Sequence, residues 1–196
     1  GFPVFRFLPH STRGEGFFLA ILRKSFSNEE TENFRSPNEK KKKSEKLQPF
    51  PKEYANWLSN PDRYKIEVRD TTVVAIPKIH IDDFHLLNSK MKVIYAGIEL
   101  AEKKGKDYIP SHSLAMSREL NRDVFPVVDV NYNQAIAYLH KEVLQLPTEI
   151  SRNYVLLTYR QIPIGFVKNI GNRANNLYPP EWRIRSSFLP EKVICL

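Results

Sequence analysis

Between Lys168 and Arg185 the chain interleaves cations with amides and rings. Lys168, Arg173, Arg183 and Arg185 alternate with Asn169, Asn172, Asn175, Asn176, Tyr178 and Trp182. Lysine and arginine hold phosphates, asparagine hydrogen-bonds base edges or ribose hydroxyls, and aromatic rings stack on unpaired bases. Lys168 and Arg173, on a polar loop, are expected to touch nucleic acid, with Asn175, Asn176, Tyr178, Arg183 and Arg185 beside them. Trp182 is expected instead to anchor the loop to the core. A blander reading has Tyr178 anchoring the loop as well, with the arginines only solvated.

Residue types that do covalent chemistry are sparse. The single cysteine, Cys195, is penultimate and is read as an inert tail thiol; alone it forms neither an internal disulfide nor a cysteine-rich zinc site. His10, His80, His85, His112 and His140 are scattered, and none pair at the spacing of a helical metal site. Gly14-Glu15-Gly16 lacks the third glycine of a dinucleotide loop and opens an apolar strand, not a helix. Asp82 and Asp83 read as the start of a helix, not as a catalytic pair. No catalytic, cofactor-binding or metal-ligating residue is therefore expected.

The elements that must position the basic segment follow from composition and periodicity. Hydrophobic residues at 41% and charged residues at 27% describe a globular chain, and 196 residues suffice for one ordinary domain or two small ones. The longest apolar run, Gly16 to Leu22, is far short of the ~20 residues of a membrane span. Gly1 to Phe7 has no signal-peptide layout, so a cytoplasmic location is expected, as is origin from a longer chain. The net charge of +8 is uneven: +3 over residues 1–24, −1 over 49–150 and +5 over 151–196. Such a local surplus suits a polyanion partner, because cations release counterions from phosphates; a solubilising face fits the charge equally well.

Along the chain, Phe2–Leu8 and Gly16–Leu22 read as a hairpin whose second strand lacks alternation, as a strand buried on both faces does. Residues 25–48, rich in Ser, Asn, Glu and Lys, read as a flexible linker. A short helix opens at Pro51, and hairpins are expected around Arg69-Asp70-Thr71 and around Arg160 to Pro163. Asp82 and Asp83 start a brief helix. Lys92–Ala96, Ile98–Leu100 and Val127–Val130 are expected strands. Pro110-Ser111 leads into a helix, and Asn131 or Asn133 caps another from Gln134 to about Glu142. This mixture of short strands and short helices indicates an α+β fold.

Two stretches resemble a known family. Arg6-Phe7-Leu8-Pro9 followed by Gly14-Glu15-Gly16-Phe17-Phe18-Leu19-Ala20-Ile21-Leu22-Arg23-Lys24 resembles the closing catalytic-domain motif of the Sun-type (Fmu/NOP-like) S-adenosylmethionine-dependent RNA cytosine-5 methyltransferases, bacterial rRNA-modifying branch. Tyr95 to Leu100 and Pro110 to Met116 resemble that branch's middle region. Gly165-Phe166-Val167-Lys168, Asn176-Leu177-Tyr178-Pro179 and Trp182-Arg183 resemble its C-terminal PUA-like RNA-binding module, although Asn175 and Pro180 stand where relatives often carry lysine. The resemblance implies four parts: terminal strands of a Rossmann-like methyltransferase domain (1–24), the linker (25–48), a middle α+β region (49–123) and a PUA-like mixed β-barrel (124–196). It also implies a function, orienting rRNA, of the small subunit, for an upstream catalytic domain of the same polypeptide. That domain would hold S-adenosylmethionine and the two catalytic cysteines, and no cofactor would be bound by these 196 residues. A freestanding RNA-binding adaptor and a protein-interaction scaffold are the competing expectations.

Overall fold

A computed structural model describes residues 4–8, 10–11, 16–21 and 51–186. The expected linker 25–48 and the thiol Cys195 lie outside the described residues. The chain divides into two units, residues 1–44 and 45–196.

In the first unit β1 (Val4–Phe7) pairs antiparallel with β2 (Phe17–Ala20), Val4 opposite Ala20 and Phe7 opposite Phe17. The expected hairpin is present. Its large side chains are exposed on both faces, Phe17 at 63% and its neighbour Phe18 at 57%.

The second unit is built from two four-stranded sheets. It opens with α1 (Lys52–Ala55), which delivers Trp57 and Leu58 into the core. The first sheet, ordered β3-β4-β5-β6, is antiparallel throughout: β3 (Tyr64–Arg69), β4 (Thr72–Pro77), β5 (Ile98–Lys104) and β6 (Asp107–Pro110). Between β4 and β5 lies α2 (Ile81–Lys90), whose Phe84 packs on Val74 and Ile76. β4 is thereby covered on both faces, so its Thr-Val-Val-Ala-Ile run needs no alternation.

Residues 92–96, expected to form a strand, are irregular. The ladder with β4 starts only at Ile98 because Gly97 sits at φ +68°, where a Cβ would lie 2.2 Å from the Ala75 carbonyl oxygen. The chain turns away there, leaving Ile94 90% exposed. Downstream, α3 (His112–Ala115) is capped by Ser111, whose hydroxyl accepts from the Leu114 amide and donates to the Glu99 carbonyl.

The second sheet is ordered β10-β9-β8-β7: β7 (Val127–Asp129), β8 (Asn153–Tyr159), β9 (Ile162–Asn169) and β10 (Ala174–Asn176). β7 and β8 are parallel, which requires a crossover, and α4 (Tyr132–Leu139) supplies it. Asn131 caps α4 in a reciprocal box with Gln134, the first of the two expected cap residues.

Strand register assigns the faces. Tyr154, Leu156 and Phe166 point to a core shared with Trp57, Leu58, Val73, Leu100, Leu114 and Phe125. Val155, Leu157, Val167 and Ala174 point to a second core against Ala135 and Tyr138 of α4. The middle region and the last region therefore share one hydrophobic core.

Candidate nucleic-acid interface

The register that buries Leu156 and Phe166 carries one further row along the same face. Tyr154 on β8, Lys168 on β9 and Asn175 on β10 lie side by side across three strands. Tyr154 and Lys168 border a cleft of about 360 Å³ that Tyr54, Trp57, Tyr108 and Arg152 also line. The Lys168 ammonium stands 5.4 Å from the Tyr154 ring centroid, within cation–π reach. Burial, foremost, pushes the Tyr154 phenol up, so it stays protonated at neutral pH. Cations over aromatic walls are the parts a single-stranded polyanion uses.

The turn between β9 and β10 is organised by Asn169. This buried amide accepts from the Gly171 N–H at 2.9 Å and donates to the Ile150 and Ser151 carbonyls at 2.9 and 3.2 Å. Gly171, at φ +105°, lies against Arg152; a Cβ there would come within 2.9 Å of its Nε. The packing places Arg152 at the cleft and leaves Arg173 exposed on the turn. Arg152, Tyr54 and Tyr108 escaped the sequence reading. Arg152 had only its contribution to the terminal charge surplus as a signal, and Tyr108 lies on β6, a strand too short and too near a turn to show a period.

Asn176 and Tyr178, expected beside Lys168, turn to the opposite side. Asn176 Nδ2 donates to the Tyr138 and Glu142 carbonyls at 2.8 and 2.9 Å, and its Oδ1 accepts from the Tyr178 amide at 2.8 Å. The last carbonyls of a helix need donors, and Asn176 supplies them for the end of α4. The Tyr178 carbonyl accepts from the Lys141 ammonium, and its ring meets His112 at 5.1 Å and Tyr138 at 5.3 Å. These two residues fasten the strand to the helix.

Trp182 corrects the expectation of an anchor in the opposite direction: it is 60% exposed. It ends the 3₁₀ turn Pro180–Trp182, where its ring meets His112 at 5.4 Å, nearly perpendicular. Ile184 donates its backbone N–H to the Leu139 carbonyl at 3.0 Å, and the flanking Arg183 and Arg185 are exposed. Of the seven expected residues, Lys168 and Asn175 are adjacent, Arg173 lies on the next turn, and Arg183 and Arg185 form a separate group beside Trp182.

Among the described residues no group of three or more His, Cys, Asp and Glu is placed to hold a metal ion. No helix among them is long and apolar enough to cross a membrane.

Residues 125–184, which carry both groups except Arg185, match the profile of the family described as the Methyltransferase RsmF PUA domain. The chain is also similar to the ribosomal RNA small subunit methyltransferase F of Shewanella piezotolerans, 25% identical over 87% of this chain and 36% of the relative. The protein of the same name from Citrobacter koseri is 29% identical over 50% of this chain and 20% of the relative. The chain thus spans little more than a third of the first relative and a fifth of the second. Residues 125–184 thus match a PUA module of the RsmF methyltransferase type, and the chain around them is similar to part of the ribosomal RNA small subunit methyltransferases F.

Proposed function

We propose that this chain is the RNA-gripping portion of an S-adenosylmethionine-dependent rRNA cytosine-5 methyltransferase, and that it orients small-subunit rRNA for a catalytic domain upstream in the same cytoplasmic polypeptide. One observation carries the reading: the Tyr154–Lys168–Asn175 row, whose Tyr154 and Lys168 line an aromatic cleft, within the segment that matches the PUA family. Base chemistry needs its nucleotide unstacked and held, and a separate grip on the surrounding RNA supplies the holding.

The proposal divides the chain into terminal catalytic-domain strands (1–24), a linker (25–48), a middle region (49–123) and a PUA-like barrel (124–196). Support for the first part is the exposure of Phe5, Phe17, Phe18 and Ile21 on β1, β2 and just beyond, which an adjoining sheet and helices would cover. In this reading S-adenosylmethionine is held by the upstream domain, and none is bound by these 196 residues. No catalytic step is assigned to these residues.

Filter binding of the full chain to small-subunit rRNA fragments across a salt series tests the reading. Affinity is expected to fall linearly on a log–log plot as salt rises. Lys168→Ala and Arg173→Ala should each weaken binding and make the slope shallower by about one. Salt-independent affinity, or unchanged slopes in both variants, would refute phosphate-led binding.

A further inference from the structure

A cavity apart from the Lys168 row lies under Trp182. It has a volume of about 620 Å³, within the ~300–1,000 Å³ of small-ligand sites. Three large side chains from separate segments stand exposed around it: Tyr95 at 59%, Met116 at 50% and Trp182 at 60%. Tyr95 and Trp182 are each held by a neighbour. The Tyr95 hydroxyl is hydrogen-bonded to Ser113 Oγ at 2.7 Å, Met116 ends the turn of α3, and Trp182 follows two prolines and meets the His112 ring. Two rings and a thioether gathered around one cavity mark a surface that a ligand or partner covers.

The charges say what covers them. Glu99 and Glu181 are among the residues that line the cavity, and no lysine or arginine is. A phosphate is therefore repelled from the cavity itself. Arg183 and Arg185, the next cations along the chain from Trp182, stand exposed to receive one. A flat apolar ring bearing N–H donors, joined to a phosphate a few ångströms away, satisfies both halves of this arrangement.

Resting on the RNA-binding reading, we infer that the cavity between Tyr95, Met116 and Trp182 receives one unpaired nucleobase of the bound RNA, with Arg183 and Arg185 on its phosphate. The base stacks on Trp182 or Tyr95. Its edge faces Glu99 and Glu181, which accept from the exocyclic amines of cytosine, adenine or guanine; uracil has none. This nucleotide is an anchoring one, and no chemistry occurs on it.

Oligocytidine and oligouridine of about ten nucleotides, within the site sizes of single-strand binders, test the inference with the full 196-residue chain. Oligocytidine is expected to bind more tightly. Trp182→Ala should weaken that binding roughly 5- to 150-fold, the equivalent of one stacked base, with an unchanged salt slope. Trp182→Phe should restore most of the loss. Trp182 emission should be quenched on binding, and Trp182→Phe, which keeps Trp57, should lose that component of the quenching. Wild-type affinity in Trp182→Ala, or a loss seen only as a shallower salt slope, overturns the cavity while leaving the Lys168 row standing. Absence of salt-dependent RNA binding in the wild-type chain takes down both.

Discussion

Gly165 shows how much one hydrogen in place of a methyl decides. It sits at φ +144°, and a Cβ there would lie 2.0 Å from the Tyr138 hydroxyl oxygen and 3.1 Å from His112 Nδ1. The Tyr138 phenol is pushed up, mainly by burial, and donates to the Phe166 carbonyl at 3.2 Å, so it has no freedom to retreat. Gly165→Ala should cost about 3 kcal/mol from overpacking and backbone strain together. At roughly 2–4 °C per kcal/mol for a chain of this size, the melting midpoint should fall by about 6–12 °C; an unchanged midpoint by calorimetry would contradict the packing described. The asparagines teach a related lesson. Asn169, Asn175 and Asn176 look alike in sequence, but Asn169 and Asn176 spend their amides on backbone groups, and only Asn175 stands in the row with Lys168.

Elements were legible where local chemistry sets them. The α4 cap at Asn131, the Ser111-led helix and the hairpin β3–β4 follow from residues within a few positions of each other. The β8–β9 connection did not follow so simply. It was expected to span Arg160 to Pro163, yet it is a two-residue turn with Arg160 at φ +50° and Gln161 at +65°, the left-handed pair that tight hairpins require. Neither residue favours that conformation. The Asp129 carboxylate, from the parallel neighbour β7, holds it by accepting from the Gln161 N–H at 2.8 Å and the Thr158 hydroxyl at 2.6 Å. These bonds, the Thr158 hydroxyl foremost, hold the Asp129 pKa below its ordinary value. A depressed carboxylate stabilises the fold above the unfolded pKa of about 4 and loses that contribution as pH falls through the folded value. Asp129→Asn should accordingly lower the melting midpoint at pH 7, and the gap from wild type should close below about pH 4. A gap constant down to pH 2 would exclude the charged form as its source.

At the scale of the molecule, the core ignores the boundary expected between residues 123 and 124. Phe125, Tyr154, Leu156 and Phe166 pack with Trp57, Val73, Leu100 and Leu114, and the Leu58–Leu120 bridge ties α1's exit to the segment before β7. A chain of residues 45–196 should therefore melt cooperatively near the midpoint of the full chain. One of residues 124–196 should not, because it exposes the inner face of β8 and β9. Circular dichroism melts of the two would decide, and a cooperative transition in the shorter chain would refute a shared core.

Residue order alone determined what depends on neighbours in the chain: the hairpins, the caps, the basic surplus at the end, and the motifs that resemble the rRNA methyltransferases. Tertiary structure alone decided which of those cations and rings face outward. Facing is set by register and by partners far along the chain, and Asn176 turns inward only because α4 ends beside it, thirty-eight residues from the Tyr138 carbonyl it serves. Trp182 stays outside for the complementary reason: Tyr178 has taken the place against Tyr138, and Trp182 meets only the edge of that cluster, at His112.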